Sequence, residues 1–261
     1  MYLKLIRPIA RRLVPIKYRP QLLRLYYTMR APFYRGTRVS CPCCAGNFRR
    51  FLPYAIEGRP ARPNAQCPGC GAAERHRLIW LFMKNRTNLF ANHLRFLHIA
   101  PEPVFQQRFK SMSNLDYIGA DINSPLADVK MDITDIQYED DFFDAILCSH
   151  VLDYVADDRK AMHELYRVLR PGGWAILQSL VDRNREMTFE DNSIVAPKKR
   201  KEVFGQSDLF RIYGRDYAER IRKAGFELTI VDYAQELGPD LCAKYGLIPD
   251  DIIYYCTKSK N

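Results

Sequence analysis

Residues 158–181 read DRKAMHELYRVLRPGGWAILQSLV. The first half of this stretch has the i, i+3, i+4, i+7 apolar spacing of an amphipathic helix, carried by Met162, Leu165, Tyr166 and Leu169. Asp157 or Asp158 can cap its start, and Arg170-Pro-Gly-Gly173 ends it. The apolar run Trp174–Val181 follows at once and predicts a buried strand. A helix joined this closely to a buried strand is typical of a parallel sheet covered by helices.

The same alternation of strand and helix extends over the second half of the chain. Six further strands are predicted at Phe96–Ala100, Tyr117–Ile122, Ala127–Ile133, Phe142–His150, Phe226–Tyr233 and Ile252–Thr257. Helices are predicted over Val104–Met112 and Tyr217–Ala224, and a long connection separates the last two strands. The pattern predicts an α/β fold, a doubly wound, Rossmann-like sheet of seven mostly parallel strands within residues 89–261.

Two C-x-x-C pairs precede this sheet. Cys41 and Cys44 form the first pair, and Cys67 and Cys70 form the second. Each pair can bring two sulfurs onto one ion, and four thiolates fill the tetrahedral shell of Zn²⁺. Because no coordination position stays open, residues 41–88 are predicted to be a structural zinc-knuckle module with a linking helix.

Two further residues of this region have open roles. Cys43 could replace Cys41 or Cys44 as a ligand, although C-x-x-C geometry favours the outer pair. His76 is another conceivable ligand, but it fits better on the helix predicted over Ala72–Lys84. Glu74-Arg-His-Arg77 opens that helix, either as an exposed charged turn or as a cluster that faces a substrate or cofactor.

The first 40 residues form a basic arm with ten Lys or Arg and no Asp or Glu. Its apolar residues, interrupted by Pro8, Pro15 and Pro20, suit one or two short amphipathic helices. The arm could lie on an anionic membrane surface, line an RNA or glycan site, pack on the body, or act as a mitochondrial presequence. The alternative is that its arginines are only solvated.

The composition is that of a globular protein, since 47% of the 261 residues are hydrophobic and 27% are charged. It excludes a disordered chain. No stretch approaches the roughly 18 uncharged apolar residues of a membrane-spanning helix, and the first charges come too early for a secretory signal. We expect a cytoplasmic protein, with peripheral membrane contact through the arm as an option.

Candidate ligand-binding residues lie at the carboxyl ends of the predicted strands, where doubly wound sheets bind their ligands. These ends are His98-Ile-Ala-Pro-Glu102, Asp121-Ile122, Asp132-Ile133 and Ser149-His150. Asp121 follows the first strand by about twenty residues, where an acidic side chain can reach the ribose hydroxyls of a nucleoside-bearing cofactor. A helix cap or a loop salt bridge is its alternative role.

Five segments together resemble the class I S-adenosylmethionine-dependent methyltransferases: Tyr117-Ile-Gly-Ala-Asp121, Lys130-Met-Asp-Ile133, Phe143-Asp-Ala-Ile146, Glu164–Trp174 and Ala224-Gly-Phe226. The resemblance covers about residues 94–261. With the cysteine pairs and Glu74–Arg77, the whole chain resembles a bacterial group of zinc-knuckle methyltransferases linked to glycan or other small-molecule modification. The resemblance implies Asp121 on the ribose, Asp132 and Ile133 beside the adenine, and the Ser149–His150 end near the methyl group, with Ser149 as a hydrogen-bonding group for the methionine part.

The first strand departs from that family's pattern of an acidic residue followed by G-x-G-x-G. Here His98 stands at the acidic position, and Ala100, Glu102 and Val104 stand at the glycine positions. Pro101 can begin the next helix, and Glu102 can meet the ammonium of the cofactor or favour the helix N-terminus. This bulkier loop is expected to hold the cofactor less closely. The missing G-x-G-x-x-G also argues against NAD, whose pyrophosphate needs close backbone approach.

Methyl transfer from a sulfonium needs an aligned acceptor and exclusion of water, and it needs a base only where the acceptor loses a proton. His150 is the candidate base, because its unperturbed pKa near 6.5 suits proton transfer at neutral pH. The alternative is a histidine that shapes the pocket. Substrate choice is expected to reside in Asp182–Asp216, which contains the basic run Lys198–Lys201 and aromatic residues that could form a lid.

Three functions are therefore open. The leading one is an S-adenosylmethionine-dependent methyltransferase that acts on an oxygen or nitrogen of a small-molecule or glycan-type acceptor. The second is a zinc-knuckle ribosomal RNA methyltransferase, favoured by a net charge of +16 over residues 1–93 and opposed by the net −6 of residues 94–261. The third is a non-catalytic zinc-binding adaptor, favoured by the altered first loop and opposed by Asp121 and Asp132.

Overall fold

The N-terminal elements are short and lie around the two cysteine pairs. A computed structural model of the chain describes Pro15 and residues 18–55, 60–191 and 193–260. It contains α1 (Arg19–Arg30), β1 (Arg35–Cys41), β2 (Gly46–Phe48), β3 (Leu52–Tyr54) and β4 (Arg62–Gln66). β1 pairs with β2 and β3 pairs with β4, both antiparallel. The first pair of cysteines lies at the turn of the first hairpin, and the second pair follows β4.

The rest of the chain alternates strands and helices. The strands are β5 (Leu94–Ile99), β6 (Leu115–Asp121), β7 (Val129–Lys130), β8 (Phe143–Ser149), β9 (Leu169–Gln178), β10 (Phe189–Glu190), β11 (Arg211–Ile212), β12 (Glu227–Val231) and β13 (Ile253–Thr257). The helices are α2 (Glu74–Arg86), α3 (Pro103–Lys110), α4 (Asp158–Val168), α5 (Pro197–Phe204), α6 (Tyr217–Lys223) and α7 (Tyr233–Tyr245), the last broken at Gly238.

Seven of these strands form the central sheet in the order β12-β13-β9-β8-β5-β6-β7. Neighbours are parallel from β9 to β7, and β13 runs antiparallel to both β9 and β12. This order confirms the predicted doubly wound, mostly parallel sheet. β7 is only two residues long, shorter than the predicted Ala127–Ile133, and α7 fills the long connection before β13.

The boundary between α4 and β9 lies earlier than the Pro-Gly-Gly turn that was predicted to end the helix. α4 ends at Val168, and Leu169 already belongs to β9. Gly172 takes a φ of +74°, a left-handed value that favours glycine. Its amide donates to the carbonyl of Lys258. The turn residues therefore lie inside the strand and are held by the chain's C-terminal segment.

Two apolar clusters cover the two faces of the sheet. Phe96 and Leu97, neighbours on β5, belong to different clusters because successive side chains of a strand point to opposite faces. The cluster around Phe96 continues into the cysteine-rich region through Phe48 and Phe51. Residues 41–88 therefore share a hydrophobic core with the sheet.

Arg77 joins the cysteine-rich region to α7. Its side chain is fully buried, and the guanidinium donates to the carbonyls of Ala65 and Ala72 at 2.9 and 2.7 Å and of Tyr245 and Gly246 at 2.6 Å each. The guanidinium carbon also lies 4.1 Å from the centre of the Phe51 ring. Four backbone carbonyls thus converge on one planar cation, and that of Ala72 also accepts the amide of Cys67.

The segment predicted as a substrate lid is anchored by buried charge. Arg211 is 1% exposed and donates to the carbonyls of Leu152, Val155 and Ala156. Hydrogen bonds from Arg220, together with Arg211, lower the pKa of Glu190 to about 2. The run Lys198–Lys201 lies on α5 instead of in a loop. The base of the segment is therefore fixed to the sheet.

The described part of the basic arm packs on the cysteine-rich region. Tyr27 of α1 lies against Gly71, whose φ is +78°, and Arg30 donates to the carbonyls of Cys67 and Pro68. Pro20 lies in the first turn of α1, so it begins the helix instead of interrupting it. The helices predicted around Pro8 and over the rest of residues 1–14 lie outside the described residues. Within the described ranges, no helix is both long and apolar enough to cross a bilayer.

Replacing Arg77 by Leu is expected to lower the free energy of unfolding by about 3 kcal/mol or more. Each buried carbonyl left without a donor costs about 1–3 kcal/mol. The matched control is Arg86→Leu, which removes a half-exposed ion pair with Glu236 between the same two helices and is expected to cost less than about 1 kcal/mol. Urea unfolding followed by circular dichroism measures both. Equal losses in the two variants would contradict the role assigned to Arg77.

Candidate functional site

The order of the sheet reverses between β5 and β8, which pair side by side at its centre. The chain leaves β5 toward β6 on one side and leaves β8 toward β9 on the other. Crevices that bind ligands in open α/β sheets form at such a point, outside the carboxyl ends of the strands. The residues directly after β5 and β8 are Ala100 and His150.

Both of these residues have left-handed backbone, with φ of +47° at Ala100 and +55° at His150. Non-glycine residues are uncommon in this region, and the backbone cost falls where the surrounding structure fixes the conformation. The amide of Ala100 donates to the carbonyl of Ala120 at 2.7 Å, and the amide of His150 donates to that of Gln178. Ala100 therefore has the conformation of a glycine at a position where the related family has one.

His98 is fully buried, and both its ring nitrogens are engaged within the protein. Nδ1 lies 3.1 Å from the hydroxyl of Tyr117, and Nε2 lies 2.7 Å from Oε2 of Glu102. These two contacts leave no ring nitrogen of His98 for the direct cofactor contact that the sequence suggested. His98 instead orients the carboxylate of Glu102.

Glu102 is the N-cap residue of α3, and Pro103 takes the first helical position that the sequence suggested for Pro101. Pro101 itself is half-buried beside Gly119. Burial alone would raise the pKa of Glu102, but the hydrogen bond and charge of His98, with His76 and Arg75 nearby, lower it to about 2. Glu102 is therefore a buried carboxylate that stays ionised.

His76 of α2 faces Glu102 from the cysteine-rich side. Its Nδ1 accepts the amide of Ala73 at 3.0 Å, and its Nε2 lies 3.8 Å from Oε1 of Glu102. Burial first, and then the charge of Arg75, lower the pKa of His76 to about 3. The ring is thus neutral at pH 7, its proton is on Nε2, and the contact with Glu102 is not an ion pair.

Four buried polar atoms around this point have no hydrogen-bond partner within the described residues. They are Nε of Arg75, Nε2 of His76, Oε1 of Glu102 and Oγ of Ser149. The first two come from α2, the third from the loop after β5 and the fourth from the end of β8. Buried polar atoms are normally paired, so a group of unpaired ones indicates space for a ligand or water. The set contains donors and an anionic acceptor.

Asp121 ends β6 beside this group. Its Oδ1 accepts the amides of Asn123 and Ser124 at 2.7 and 2.6 Å, which fixes the turn and aligns the carboxylate. Ile122, the next residue, is 47% exposed, which is unusual for a large apolar side chain at a sheet edge. A carboxylate next to an exposed apolar surface suits a sugar that carries a base.

The third predicted pair has a mixed placement. Asp132 is exposed, and its Oδ1 accepts the amide and hydroxyl of Thr134 at 2.8 Å each. Ile133 is 6% exposed and belongs to the apolar cluster on one face of the sheet. The side chain of Asp132 is accessible to a ligand, whereas only a small part of the Ile133 side chain is exposed.

His150 lines a cavity of about 320 Å³ on the β9 and β13 side of the reversal point. Gln178 at the end of β9 and Ser179 after it also line the cavity, as do Asp251 and Ile252 before β13. Burial, and then the charge of Glu74, raise the pKa of Asp251 to about 6. The site thus has one half at β5 and β6 and a second half, with two titratable side chains, at β8, β9 and β13.

The four predicted metal ligands converge at a separate point. The sulfurs of Cys41, Cys44, Cys67 and Cys70 all lie within 4.8 Å of one another. Cys41 is 3.7 Å from Cys70, and Cys44 is 3.7 Å from Cys67. A tetrahedral ion with metal–sulfur bonds of about 2.3 Å requires sulfurs about 3.8 Å apart. The four thiols can therefore hold a metal ion.

The two other candidate ligands lie outside this set. Cys43 is 3% exposed, and its sulfur donates to the carbonyl of His76 at 3.6 Å. His76 directs its ring toward Glu102, as described above. Cys43 thus ties the knuckle to the helix that carries Arg75 and His76.

Comparison with known proteins finds a family match in the central part of the chain. Residues 69–177 match the family described as "Methyltransferase domain". This match covers less than half of the chain. It runs from the second cysteine pair through α2 and the reversal point to the end of β9, so it contains the polar atoms at the β5 and β8 ends.

Curated relatives match over shorter stretches. The chain is 45% identical over 49 residues to a demethylmenaquinone methyltransferase of Clavibacter sepedonicus, covering 19% of this chain and 20% of that protein. It is 27% identical over 123 residues to a ubiquinone/menaquinone biosynthesis C-methyltransferase of Vibrio campbellii, covering 46% of each. The chain spans less than half the length of these relatives.

Solved structures with similar folds have low sequence identity. An S-adenosylmethionine-dependent methyltransferase from Mesorhizobium loti is 14% identical, with a TM-score of 0.46 over 69% of this chain and 97% of that one. The [4+2]-cyclase SpnF is 16% identical, with a TM-score of 0.49 over 87% of this chain and 99% of that one.

Asp251 is the site residue that sequence reasoning missed. It lies in the run Ile248-Pro-Asp-Asp251, where no motif marks it. No local sequence signal could have found it, because the direction of β13 is what places it there. A strand antiparallel to β9 begins at the edge where β9 ends, so residues just before it face the same crevice.

Replacing Ala100 by Gly is expected to raise the free energy of unfolding by up to about 1 kcal/mol, because glycine takes positive φ without the cost that a Cβ imposes. The control is Ala175→Gly in β9, which is fully buried and extended. It is expected to lower stability by about 1 kcal/mol. Thermal unfolding measures both. A loss of stability in A100G equal to that of A175G would contradict this account of the loop.

Proposed function

We propose that the protein is an S-adenosylmethionine-dependent methyltransferase that acts on an oxygen or nitrogen of a small-molecule or glycan-type acceptor. The observation that carries the proposal is the group of four unpaired buried polar atoms at the ends of β5 and β8. It lies within the segment that matches a methyltransferase domain. The proposal extends that match to the activity of the whole chain.

The donors and acceptors at this point fit the amino-acid end of S-adenosylmethionine. Oε1 of the ionised Glu102 can accept hydrogen bonds from an ammonium. Arg75, Ser149 and the Nε2–H of His76 can donate to a carboxylate. The loop without its usual glycines is compatible with this fit because Ala100 takes their left-handed backbone. The side chain of Glu102 then makes the contact to the ammonium, and His98 holds that side chain in place.

The nucleoside end fits the next two strand ends. The carboxylate of Asp121 can accept the ribose hydroxyls, and Ile122 offers an exposed apolar surface to the base. Asp132 is open to solvent beside them. When bound, S-adenosylmethionine supplies an electrophilic methyl group on a positively charged sulfur. The residues of the chain align the acceptor and exclude water.

For the acceptor, the second half of the site is the relevant region. An oxygen or nitrogen acceptor that loses a proton needs a nearby base, and His150 remains the candidate from the sequence. The Vibrio relative is named as a C-methyltransferase, so carbon is the competing acceptor atom.

We also propose that Cys41, Cys44, Cys67 and Cys70 hold a structural Zn²⁺. The sulfur distances match a tetrahedral S₄ site, and four thiolates at this spacing repel one another without a cation between them. The metal's role is to fix the knuckle from which α2 starts. Since α2 carries Arg75 and His76, the metal orders one wall of the cofactor site without touching the reacting atoms.

Isothermal calorimetry is expected to show saturable binding of S-adenosylmethionine to the wild-type protein. Asp121→Ala is expected to weaken binding at least about tenfold, because hydrogen bonds to a charged group contribute about 1.5–3 kcal/mol. Asp116→Ala is the control, since Asp116 is exposed near the opposite end of β6. Glu102→Gln should weaken binding of S-adenosylmethionine but not of adenosine. No binding by the wild type at millimolar cofactor would favour the adaptor.

Metal analysis by mass spectrometry is expected to find about one zinc per chain in the wild-type protein. Cys44→Ser should lose most of this zinc and also weaken binding of S-adenosylmethionine, because the start of α2 is no longer fixed. Cys43→Ser is the matched control and should keep its zinc, since Cys43 lies outside the four converging sulfurs. Loss of zinc from C43S with retention in C44S would exclude the proposed ligand set.

A further inference from the structure

The cavity beside His150 has both apolar and polar walls. Leu78 and Ile79 of α2, Leu180 and Val181 after β9, and Ile252 and Ile253 before and within β13 line it. Its volume of about 320 Å³ falls at the lower end of the range for ligand pockets, about 300–1,000 Å³. A pocket of this kind holds a small, partly apolar molecule and orients it with a few polar groups.

Most charged groups of this cavity are already engaged within the protein. Arg62 donates to both carboxylate oxygens of Glu74, at 2.8 and 3.1 Å. Arg183 donates to the carbonyl of Asp250, whose own side chain is exposed. Arg75 also lines the cavity; its Nε has no hydrogen-bond partner within the described residues, and its charge lowers the pKa of Glu102.

Among the carboxylates of this cavity, Asp251 differs from Glu74, which Arg62 binds, and from Asp250, which is exposed. The Asp251 side chain is partly buried and lines the cavity, and its carboxylate makes no hydrogen bond with any side chain or amide of the described residues. Burial and the charge of Glu74 raise its pKa to about 6, against the opposing charges of Arg62, Arg183 and Arg75. An acceptor that faces a cavity without a donor from the protein can take one from a ligand.

We propose that this cavity is the acceptor site, and that Asp251 accepts a hydrogen bond from the hydroxyl or amino group of a small, partly apolar acceptor and takes up its proton. The inference rests on the proposed function and specifies its substrate class. In the proton transfer, the O–H or N–H bond of the acceptor breaks, and its electron pair stays on the oxygen or nitrogen. The proton then binds to a carboxylate oxygen of Asp251.

The position of Asp251 supports this role. Asp251 precedes β13, which begins at the edge where β9 ends, and His150 follows β8 at the same edge. An acceptor in the cavity is therefore next to the end of β8, where the amino-acid part of the cofactor is proposed to lie. α2 lines this cavity through Leu78 and Ile79, so it contributes residues to both halves of the site.

The test uses 4-methylphenol as the probe and toluene as its matched partner without the hydroxyl. Binding to the full-length protein is measured by ligand-observed NMR from pH 5 to 7.5, with and without S-adenosylhomocysteine. The phenol does not ionise in this range, since its pKa is near 10. Its affinity is expected to increase about fivefold or more as Asp251 ionises, because hydrogen bonds to a charged acceptor are stronger. Toluene should bind independently of pH.

Asp251→Asn is expected to remove the pH dependence for 4-methylphenol, whereas Asp250→Asn should retain it. A second readout is stability. Because the folded state raises the pKa of Asp251, wild-type stability should fall relative to D251N as the pH rises from 4 through 6. This comparison also shows that D251N is folded.

The outcomes separate this inference from the proposed function. A pH dependence that persists in D251N would assign the titration to His150 and overturn the inference. Failure of 4-methylphenol to bind more tightly than toluene would also overturn it. Failure of the wild type to bind S-adenosylmethionine would overturn the proposed function, whereas probe binding without the nucleoside tests the cavity alone.

Discussion

The arrangement of the site depends on one buried cation. Arg77 binds four carbonyls, two from the cysteine-rich region and two from the end of α7. A guanidinium suits this task because it is planar, always charged and offers donors in fixed directions. The contacts set the position of α2 between the knuckle and the sheet. Arg75 and His76 precede Arg77 on the same helix, so the geometry of the half of the site at β5 and β6 follows from this anchor.

A second constraint is the buried chain of polar contacts Tyr117–His98–Glu102. In the related family, a glycine-rich loop lets the backbone approach the cofactor directly. Here larger side chains occupy that loop, and only Ala100 keeps the glycine-like conformation. The protein places an ionised carboxylate at the same edge and uses a buried histidine to hold it. The proposed recognition of the cofactor therefore relies on Glu102 and its supporting residues as well as on the backbone.

The cysteine-rich region therefore does more than stabilise the N-terminal half. Its core continues into the sheet through Phe48 and Phe51, and its helix supplies walls to both halves of the site. Eight of the thirteen residues of the linking helix α2 are buried, so most of this helix packs against the rest of the protein. Through this packing, a change at one of the four converging cysteines can alter the position of Arg75 and His76 without a direct contact to them.

The sequence alone determined the strand and helix alternation, the doubly wound sheet, the C-x-x-C pairs and the acidic residue at the end of β6. These features follow from local periodicity, from spacing along the chain and from rules for parallel sheets. The exact ends of α4 and β7 were not predictable, because contacts with distant residues such as Lys258 decide them. The same is true of the roles of His98 and Glu102, which depend on which side chain each one meets across the sheet. Asp251 reaches the site only because β13 runs antiparallel and returns the chain to the carboxyl edge. A linear sequence carries no local signal of that direction, so tertiary structure alone decided where this carboxylate lies.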